Sequence, residues 1–425
     1  MSNPIFDDTF PIGWEQRGES RVATTISVGE LSIMLDDYFG DRIKFNLVKS
    51  WPELDGLEIK DDQLQHLYVV LSELGWNIGK AAARDAWMSQ AIKNEYSPVV
   101  NYLDGLLSDE GVVPVVLDEV AQEYLGATGP IDGKKVAAML IGAVTRAYEP
   151  GSKFDNCLTL KGDQGVGKSS FFKALASPEW FVDTMQENKK DLQLALHNCW
   201  LFELQELESI TGKQEVGKVK AMLTTSVDTF RQPFGFGVGN HPRRSIFVAS
   251  VNRDDFLRDS TGNRRFWIVD LPQKREKGER IDVERIKVDR DRIWKAAVIA
   301  YKEGRKPILS LEEDIQADAE AKEYTLENWC IGVLHAWLSV RYQTGQLDRP
   351  WLPANHFLID EAVAQVQHRA SIQQVAEALK ELGCIRHPQK RVRGQKLRLW
   401  ESPYFDPLSK AEMAQQLQKS LAVLN

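Results

Sequence analysis

A glycine-rich segment near the middle of the chain has the residue types that bind a phosphate group. Residues 162–169 read GDQGVGKS and fit the pattern GxxxxGK[ST]. In such a loop the backbone N–H groups surround phosphate oxygens, the lysine reaches the outer phosphates, and the serine hydroxyl ligates Mg²⁺. The pattern predicts ATP contacts from Gly162, Asp163, Gln164, Gly165, Val166, Gly167, Lys168, Ser169 and Ser170. An apolar strand before the loop and a helix after it are predicted, as this motif requires, and they argue against a glycine turn without a ligand.

A second source of catalytic groups follows about 35 residues later. Residues 199–206 read CWLFELQE, so a predicted apolar strand carries Glu203 near its end and Glu206 follows three residues on. Carboxylates that emerge from a buried strand bind Mg²⁺, directly or through water, and polarise the attacking water. We predict catalytic roles for both, and Mg²⁺ ligation by Glu203. The alternative is that Glu206 merely begins an ordinary helix.

Two further segments supply polar groups that hydrolysis needs. Asn252 follows the apolar residues 245–251, and an amide at such a strand end senses the γ-phosphate and helps to hold the water, although asparagine is also a common turn residue. Arg264 and Arg265 precede another apolar strand. Arginine stabilises charge on a transferring phosphoryl group and is often supplied by a neighbouring subunit, whereas the alternative is a pair of solvated arginines.

The elements that position these groups alternate between short apolar strands and helices. Apolar runs of five or six residues at 157–161, 200–204, 246–250 and 266–271 predict a mostly parallel α/β layer. Glycine-rich residues 126–133 separate this layer from helical patterns upstream. The predicted divisions are a flexible leader 1–22, an N-terminal helical domain 23–130, a P-loop ATPase domain 131–310, a helical lid or linker 311–345, a winged-helix-like domain 346–405 and a C-terminal helix or tail 406–425.

Bulk properties set the class of protein. The 425 residues are 43% hydrophobic and 27% charged, which is a globular composition. The four cysteines are far apart without metal-ligand spacing, and no signal peptide or long apolar run is present, which predicts a cytoplasmic protein with no membrane partner. Cys157 and Cys199 lie in apolar runs, which predicts buried side chains. The net charge of −8 argues against a protein coated in nucleic acid but leaves local basic patches open.

With these residues in view, the chain resembles the virulence-associated E family, a branch of P-loop ATPases akin to superfamily 3 helicases of phages and mobile elements. Besides the phosphate loop, the resemblance depends on NEYSPVVNYL at 94–103, FELQEL at 202–207 and TGNRRFW at 261–267, and it extends over residues 94–400. It implies a hexameric, AAA+-like helicase that acts in DNA replication. By resemblance Lys168 and Ser169 form the phosphate-loop pair, Glu203 and Glu206 the acidic motif, Asn252 the sensor, and Arg264 or Arg265 the finger. Because no polymerising domain is expected upstream, primase activity has no support.

Two regions are predicted to contact DNA. Residues 231–244 (RQPFGFGVGNHPRR) suggest a protruding hairpin before the sensor strand, with Arg231, Phe236, Asn240 and His241 as contacts and the last three near the tip. The alternative is a structural hairpin that packs on a neighbouring subunit. Near the C-terminus a capping box at Ser371 begins a helix that is followed by a basic hairpin, which is typical of a winged helix. Its predicted phosphate contacts are Arg386, Lys390, Arg391, Arg393, Lys396 and Arg398.

The leading prediction is therefore a ring-forming DNA helicase or translocase that uses ATP and Mg²⁺. A second hypothesis is an oligomeric ATPase switch, for defence or assembly, that binds nucleic acid without unwinding it. The phenylalanine- and glycine-rich hairpin has few cations, which favours this second hypothesis to some extent. A small-molecule kinase also uses a phosphate loop, but the paired carboxylates, Asn252 and the arginines are what hydrolysis requires.

Overall fold

A computed structural model of the chain describes most of its residues. The described ranges are 5–186, 188–205, 213–231, 237–252, 257, 263–272, 281–324, 326–344, 356–367, 370–388, 390–392 and 395–403. Within them, 213–216, 326–328, 341–344, 390–392 and 395–397 are described by their backbone alone. None of the helices in these ranges combines the length and the apolar character needed to span a bilayer.

The N-terminal unit is mixed α/β and has its own core. Its elements are β1 (Trp14–Arg17), β2 (Ser20–Thr25), α1 (Val28–Phe39), β3 (Ile43–Asn46), β4 (Trp51–Leu54), β5 (Leu57–Glu58), α2 (Asp61–Glu73), β6 (Trp76–Asn77), α3 (Lys80–Lys93) and β7 (Glu95–Tyr96). The strands form two small sheets, ordered β1-β2-β6 and β5-β4-β3-β7. Apolar residues at helical spacing, such as Leu31 and Leu35 of α1 and Leu64, Leu67 and Leu71 of α2, are fully or almost fully buried in one cluster.

This unit differs from the predicted leader and helical domain. Ile5 and Phe10 are buried in its core, and residues 14–25 form the β1–β2 hairpin, so residues 5–22 are not a loose leader. The strands were not predicted because most have four residues or fewer, too short for a periodic pattern to be read. Residues from Val99 to Leu125 also pack in the core of the central unit rather than with α1–α3.

The central unit begins with three helices and continues as alternating strands and helices. Its elements are α4 (Pro98–Ser108), α5 (Val120–Leu125), α6 (Asp132–Tyr148), β8 (Cys157–Lys161), α7 (Lys168–Ala176), β9 (Phe181–Val182), α8 (Lys189–His197), β10 (Leu201–Leu204), α9 (Lys213–Thr224), β11 (Val227–Phe230), β12 (Gly239–Pro242), β13 (Ile246–Val251), β14 (Phe266–Asp270), α10 (Val283–Lys302) and α11 (Leu311–Glu323).

Five of these strands form one parallel sheet with the order β14-β8-β13-β10-β9, which confirms the predicted α/β layer. Successive side chains of a strand point to opposite faces. Leu158 of β8 and Val248 of β13 therefore pack in a cluster with α6, α7 and α10. Cys157 and Phe247 pack on the other face with residues of α8, α9 and α11. Both faces are covered, which explains why these strands read as continuous apolar runs. The predicted burial of Cys157 and Cys199 is confirmed.

The C-terminal unit has its own apolar cluster. Its elements are α12 (Leu326–Thr344), β15 (His356–Leu358), α13 (Ile359–Gln365), α14 (Ile372–Glu381), β16 (Ile385–Arg386), β17 (Lys390–Val392), β18 (Gln395–Leu397) and β19 (Leu399–Glu401). β15, β19 and β16 form an antiparallel sheet in that order, and β17 and β18 form a hairpin between β16 and β19. The predicted capping box at Ser371 is confirmed, since its hydroxyl accepts from the Gln374 N–H and its own N–H donates to the Gln374 side chain.

The predicted lid or linker over 311–345 has two parts with different surroundings. α11 contacts β14 of the large sheet, whereas Cys330, Leu334 and Leu338 of α12 are buried in the C-terminal cluster. The last residue of that predicted division, and the whole of the predicted tail 406–425, lie outside the described residues. The helical periodicity was correct for both helices, but a sequence pattern does not show which core each apolar stripe meets.

A buried group of charged residues fixes the antiparallel hairpin β11–β12 to the central unit. The Arg243 guanidinium donates to both oxygens of Asp228, at 2.5 and 2.9 Å, and His197 lies 3.1 Å from the same carboxylate. All three residues are at most 5% exposed. Arg243 and His197 together hold the pKa of the Asp228 carboxyl far below its usual range. The hairpin therefore leaves the sheet from a rigid base.

We predict that Asp228→Asn destabilises the protein by about 3 kcal/mol, because it leaves the buried Arg243 charge without its counter-ion. Since the folded-state pKa of Asp228 is depressed, its contribution is present above the ordinary carboxyl pKa and is lost only as the pH falls toward the depressed value. Denaturant unfolding at pH 7 measures the loss. Asp55→Asn, which breaks the exposed pair with Arg42, is the control and changes stability little. Equal, small effects of the two substitutions would contradict the prediction.

Candidate nucleotide site

The glycine-rich segment 162–167 joins the carboxyl end of β8 to the first turn of α7. Gly165 and Gly167 have φ angles of +84° and +99°, a region that side chains with a Cβ rarely adopt. The loop is held at both ends, because the Gly162 N–H donates to the Val251 carbonyl at 3.2 Å and the Ile281 N–H donates to the Val166 carbonyl at 2.9 Å. Helix α7 begins at Lys168, so the N–H groups of its first turn and its positive dipole end face the loop, as an anion requires.

Lys168 lies inside this loop and is nearly buried. Its ammonium group donates to the carbonyls of Gly162 at 2.7 Å and Asp163 at 2.8 Å, and to Asn252 Oδ1 at 2.8 Å. Asn252 directly follows β13, the neighbour of β8 in the sheet. The structure thus brings together the predicted lysine and the predicted sensor residue, which are 84 positions apart in sequence.

A second set of hydrogen bonds joins α7 to the neighbouring strands. The Ser169 hydroxyl donates to Glu203 Oε1 at 2.8 Å, and the Ser250 hydroxyl donates to the same oxygen at 2.6 Å. The two hydroxyl oxygens are 3.2 Å apart. Ser250 was not singled out from the sequence. The available signal was its position two residues before Asn252 on a strand predicted to end at the phosphate loop.

The Glu203 carboxyl is fully buried, and burial raises its pKa. Among the described residues its second oxygen, Oε2, has no hydrogen-bond partner. A buried carboxylate oxygen without a hydrogen-bond partner, beside a serine hydroxyl, is a set of oxygen donors of the kind that Mg²⁺ prefers. The ion would also supply the positive charge that the buried carboxylate lacks. The residues present therefore fit Mg²⁺, with Ser169 and Glu203 as its protein ligands.

Arg264 and Arg265 lie at the opposite edge of the sheet. They occupy a single helical turn just before β14, and the Asn156 side chain before β8 donates to the Arg264 carbonyl at 3.3 Å. β14 and β8 are paired over five residues, so about 16 Å of strand separates these arginines from the loop at the other end. Both line a cavity of about 460 Å³ together with Lys153, Lys306 and Asp314. They do not reach the nucleotide site of their own chain.

The structure describes three of the four residues of the first hairpin that were predicted to contact DNA. Asn240 and His241 lie in strand β12 opposite Thr229 and Asp228, so they are not near the hairpin tip as predicted. The His241 ring packs against Phe230 and His197, with ring centroids 4.4 and 6.0 Å away. Arg231 is exposed immediately after β11. Phe236, Arg393 and the catalytic candidate Glu206 lie outside the described residues.

Four of the basic residues that the sequence predicted to contact phosphates lie in short strands, although Lys390 and Arg391 were expected in the connection between two strands. Arg386 is in β16, Lys390 and Arg391 are in β17, and Lys396 is in β18. Arg386 and Arg398, whose side chains are described, are exposed. The charges of Arg386 and Arg398, at the base of the hairpin, are therefore accessible to solvent.

Comparisons with known proteins identify a family. The profile of the virulence-associated protein E-like domain matches residues 114–326, just over half of the chain, and the chain belongs to this family. The family is linked to replication proteins of phages and mobile elements. No curated protein sequence matches significantly. The apo structure of the NrS-1 C-terminal region is 14% identical, covers 70% of this chain and 78% of that chain, and has a TM-score of 0.37. The A form of that region is 12% identical, covers 85% and 96%, and has a TM-score of 0.40.

We predict that Glu203→Gln raises the thermal unfolding midpoint by a few degrees in metal-free buffer, because an uncharged amide is less costly to bury. Since burial raises the pKa of Glu203, its destabilising effect grows as the pH rises above about 4.3, the ordinary carboxyl value. The difference between the variant and the wild type is therefore larger at pH 8 than at pH 5. Glu110→Gln, an exposed change, is the control. A variant less stable than wild type at both pH values would contradict this prediction.

Proposed function

We propose that this member of the virulence-associated protein E-like family is an ATP-hydrolysing, ring-forming DNA helicase or translocase that acts in replication of a phage or mobile element. The observation that carries the proposal is the convergence of Lys168, Asn252, Ser169 and Glu203 on the first turn of α7. A phosphate loop alone would suit many nucleotide-binding proteins, whereas a strand-end amide and a buried carboxylate at the same place are what hydrolysis adds.

In this proposal the phosphates of ATP bind to the loop N–H groups, and Lys168 exchanges its bonds to the loop carbonyls for bonds to phosphate oxygens. Ser169 and Glu203 would hold Mg²⁺, which would supply positive charge beside the phosphates. Asn252 remains beside the lysine ammonium, within reach of the terminal phosphate. Glu203 also orients Ser169 and Ser250 through its Oε1, and Glu206 is retained as a candidate for polarising the attacking water.

The position of the arginines supports an oligomer. Arg264 and Arg265 stand at the far edge of the sheet from the site of their own chain, and Arg264 is exposed. An arginine at this position can act only on the ATP of a neighbouring subunit. The candidate nucleotide site of that subunit would then lie against the cavity that both arginines line. Such a head-to-tail contact closes into a ring, and a hexamer is the form that we propose.

Two surfaces are proposed to contact DNA. Hairpin β11–β12 stands just before β13 and is fixed at its base by Asp228 and Arg243, which suits an element that transmits force. The second surface is the C-terminal unit, and its order α12-β15-α13-α14-β16-hairpin-β19 supports the proposal of a winged helix with a basic wing. Contacts of Arg386 and Arg398 with phosphates would be largely independent of base sequence.

An oligomeric ATPase switch, which binds nucleic acid but does not unwind it, is the second candidate function. The observation that favours it is the engagement of His241 with Phe230 and His197, which removes one expected DNA contact from the hairpin surface. The two candidates share the nucleotide site and differ in whether DNA alters turnover.

We predict that Lys168→Ala abolishes ATP hydrolysis, because the ammonium group that contacts the outer phosphates is removed. Lys173→Ala, an exposed lysine of the same helix, is the matched control and keeps the wild-type rate. Phosphate release is measured with Mg²⁺, with and without single-stranded DNA. Stimulation by DNA in the wild type supports the motor, whereas turnover that is indifferent to DNA supports the switch. Equal turnover by wild type and Lys168→Ala would refute the nucleotide site.

We predict that two inactive variants restore each other if an arginine acts on the adjacent subunit. Arg264→Ala and Arg265→Ala are assayed singly, and the one that loses hydrolysis is mixed in equal amounts with Lys168→Ala. A site made of a loop from one variant and an arginine from the other is intact, so roughly a quarter of the wild-type rate per subunit returns for randomly assembled rings. Mixing Lys168→Ala with Glu203→Gln is the control and restores nothing, because both changes are on the nucleotide side. Absence of restoration in mixed oligomers would contradict action between subunits.

A further inference from the structure

Three side chains of types that bind transition metals lie together in the C-terminal unit. His356 is in β15, Glu401 is in β19, and His387 follows β16. Their nearest donor atoms all lie within 4.8 Å of one another. The strand register explains this proximity, because His356 pairs with Glu401 across the sheet and the His387 N–H donates to the Leu399 carbonyl at 3.0 Å.

The three side chains of this cluster are in direct contact with one another. His387 Nε2 is 2.9 Å from Glu401 Oε2, and the two imidazole rings are stacked with centroids 5.0 Å apart. His356 is only 2% exposed, whereas His387 and Glu401 are about one quarter exposed. Burial, together with the neighbouring His387, lowers the pKa of His356 to about 4, which keeps this imidazole neutral near pH 7.

Two imidazole nitrogens and one carboxylate oxygen form a donor set that suits Zn²⁺. Zinc binds these atoms at about 2.0–2.2 Å, so its ligand atoms are separated by roughly 3.3 Å in a tetrahedral site. The donor atoms of the cluster lie within 4.8 Å of one another, and the partial exposure of His387 and Glu401 gives an ion a route in. A hydrogen bond between His387 and Glu401 beside two stacked imidazole rings, without metal, would also explain the contacts, and a zinc titration distinguishes the two.

We propose that His356, His387 and Glu401 form a Zn²⁺ site at the base of the β17–β18 hairpin. His387 and Glu401 lie just outside the two ends of this hairpin, so one ion bound to both fixes its two strands relative to each other and to β15. The ion also adds positive charge beside Arg386 and Arg398. The site lies beyond residue 326, where the match to the family ends.

The test is a zinc titration of the full chain after removal of metals, in competition with a chromophoric chelator and with excess Mg²⁺ to occupy the nucleotide site. One Zn²⁺ per chain is expected for the wild type, with at least tenfold weaker binding by His387→Ala and by Glu401→Gln. His66→Ala, an exposed histidine of α2, is the control and binds as the wild type does. Failure of the wild type to bind Zn²⁺, or equal binding by wild type and the two variants, would overturn the proposal.

A second measurement separates loss of the ligand from loss of the fold. Zn²⁺ is expected to raise the thermal unfolding midpoint of the wild type and of His66→Ala, and to leave that of Glu401→Gln unchanged, while the circular dichroism spectra before heating coincide. An equal rise in Glu401→Gln would overturn the assignment of ligands. Neither readout uses ATP, so failure of the proposed ATPase and failure of the zinc site are distinguishable.

Discussion

The ammonium group of Lys168 bonds to two carbonyls of its own loop and to an amide from another strand. This arrangement depends on the parallel sheet, because the loop after β8 and Asn252 after β13 meet only if the carboxyl ends of both strands lie at one edge. The same edge brings Ser169 of α7 against Glu203 of β10. These side chains are supplied by α7, by β10 and by the residue that follows β13, so the geometry of the site is a property of the sheet as a whole.

Asp228 and Glu203 are both buried carboxylates of the central unit, but they differ in their partners. Asp228 is buried with Arg243 and His197 around it, so its charge is compensated within the chain and the hairpin base is stable. Glu203 is buried with two hydroxyl donors on one oxygen and no partner for the other among the described residues. The first arrangement is complete in the chain by itself, whereas the second lacks a positive charge and so is typical of a functional site.

The end of the large sheet that carries the phosphate loop is also linked to the C-terminal end of α11. Lys161, which precedes the loop, lies 3.1 Å from Asp270 Oδ2, and the Tyr324 hydroxyl donates to the same oxygen. Tyr324 caps α11, two residues before α12 begins the C-terminal unit. Lys161, Asp270 and Tyr324 therefore connect the start of the loop by direct contacts to the end of α11, which α12 of the C-terminal unit follows. None of these three residues belongs to the candidate nucleotide site or to the proposed DNA-binding surface.

The sequence by itself determined the phosphate loop, the parallel α/β layer, the positions of four of its five strands along the chain and the helix and hairpin near the C-terminus, because these features depend on local spacing and continuous apolar runs. It did not determine where the units divide, since a helical stripe does not show which core it meets, as α4 and α12 illustrate. Only the tertiary structure placed Ser250 on Glu203 and put Arg264 and Arg265 at the opposite edge of the sheet. It alone brought together His356, His387 and Glu401, which are separated by 31 and 14 positions, because strand pairing joins residues that no sequence spacing connects.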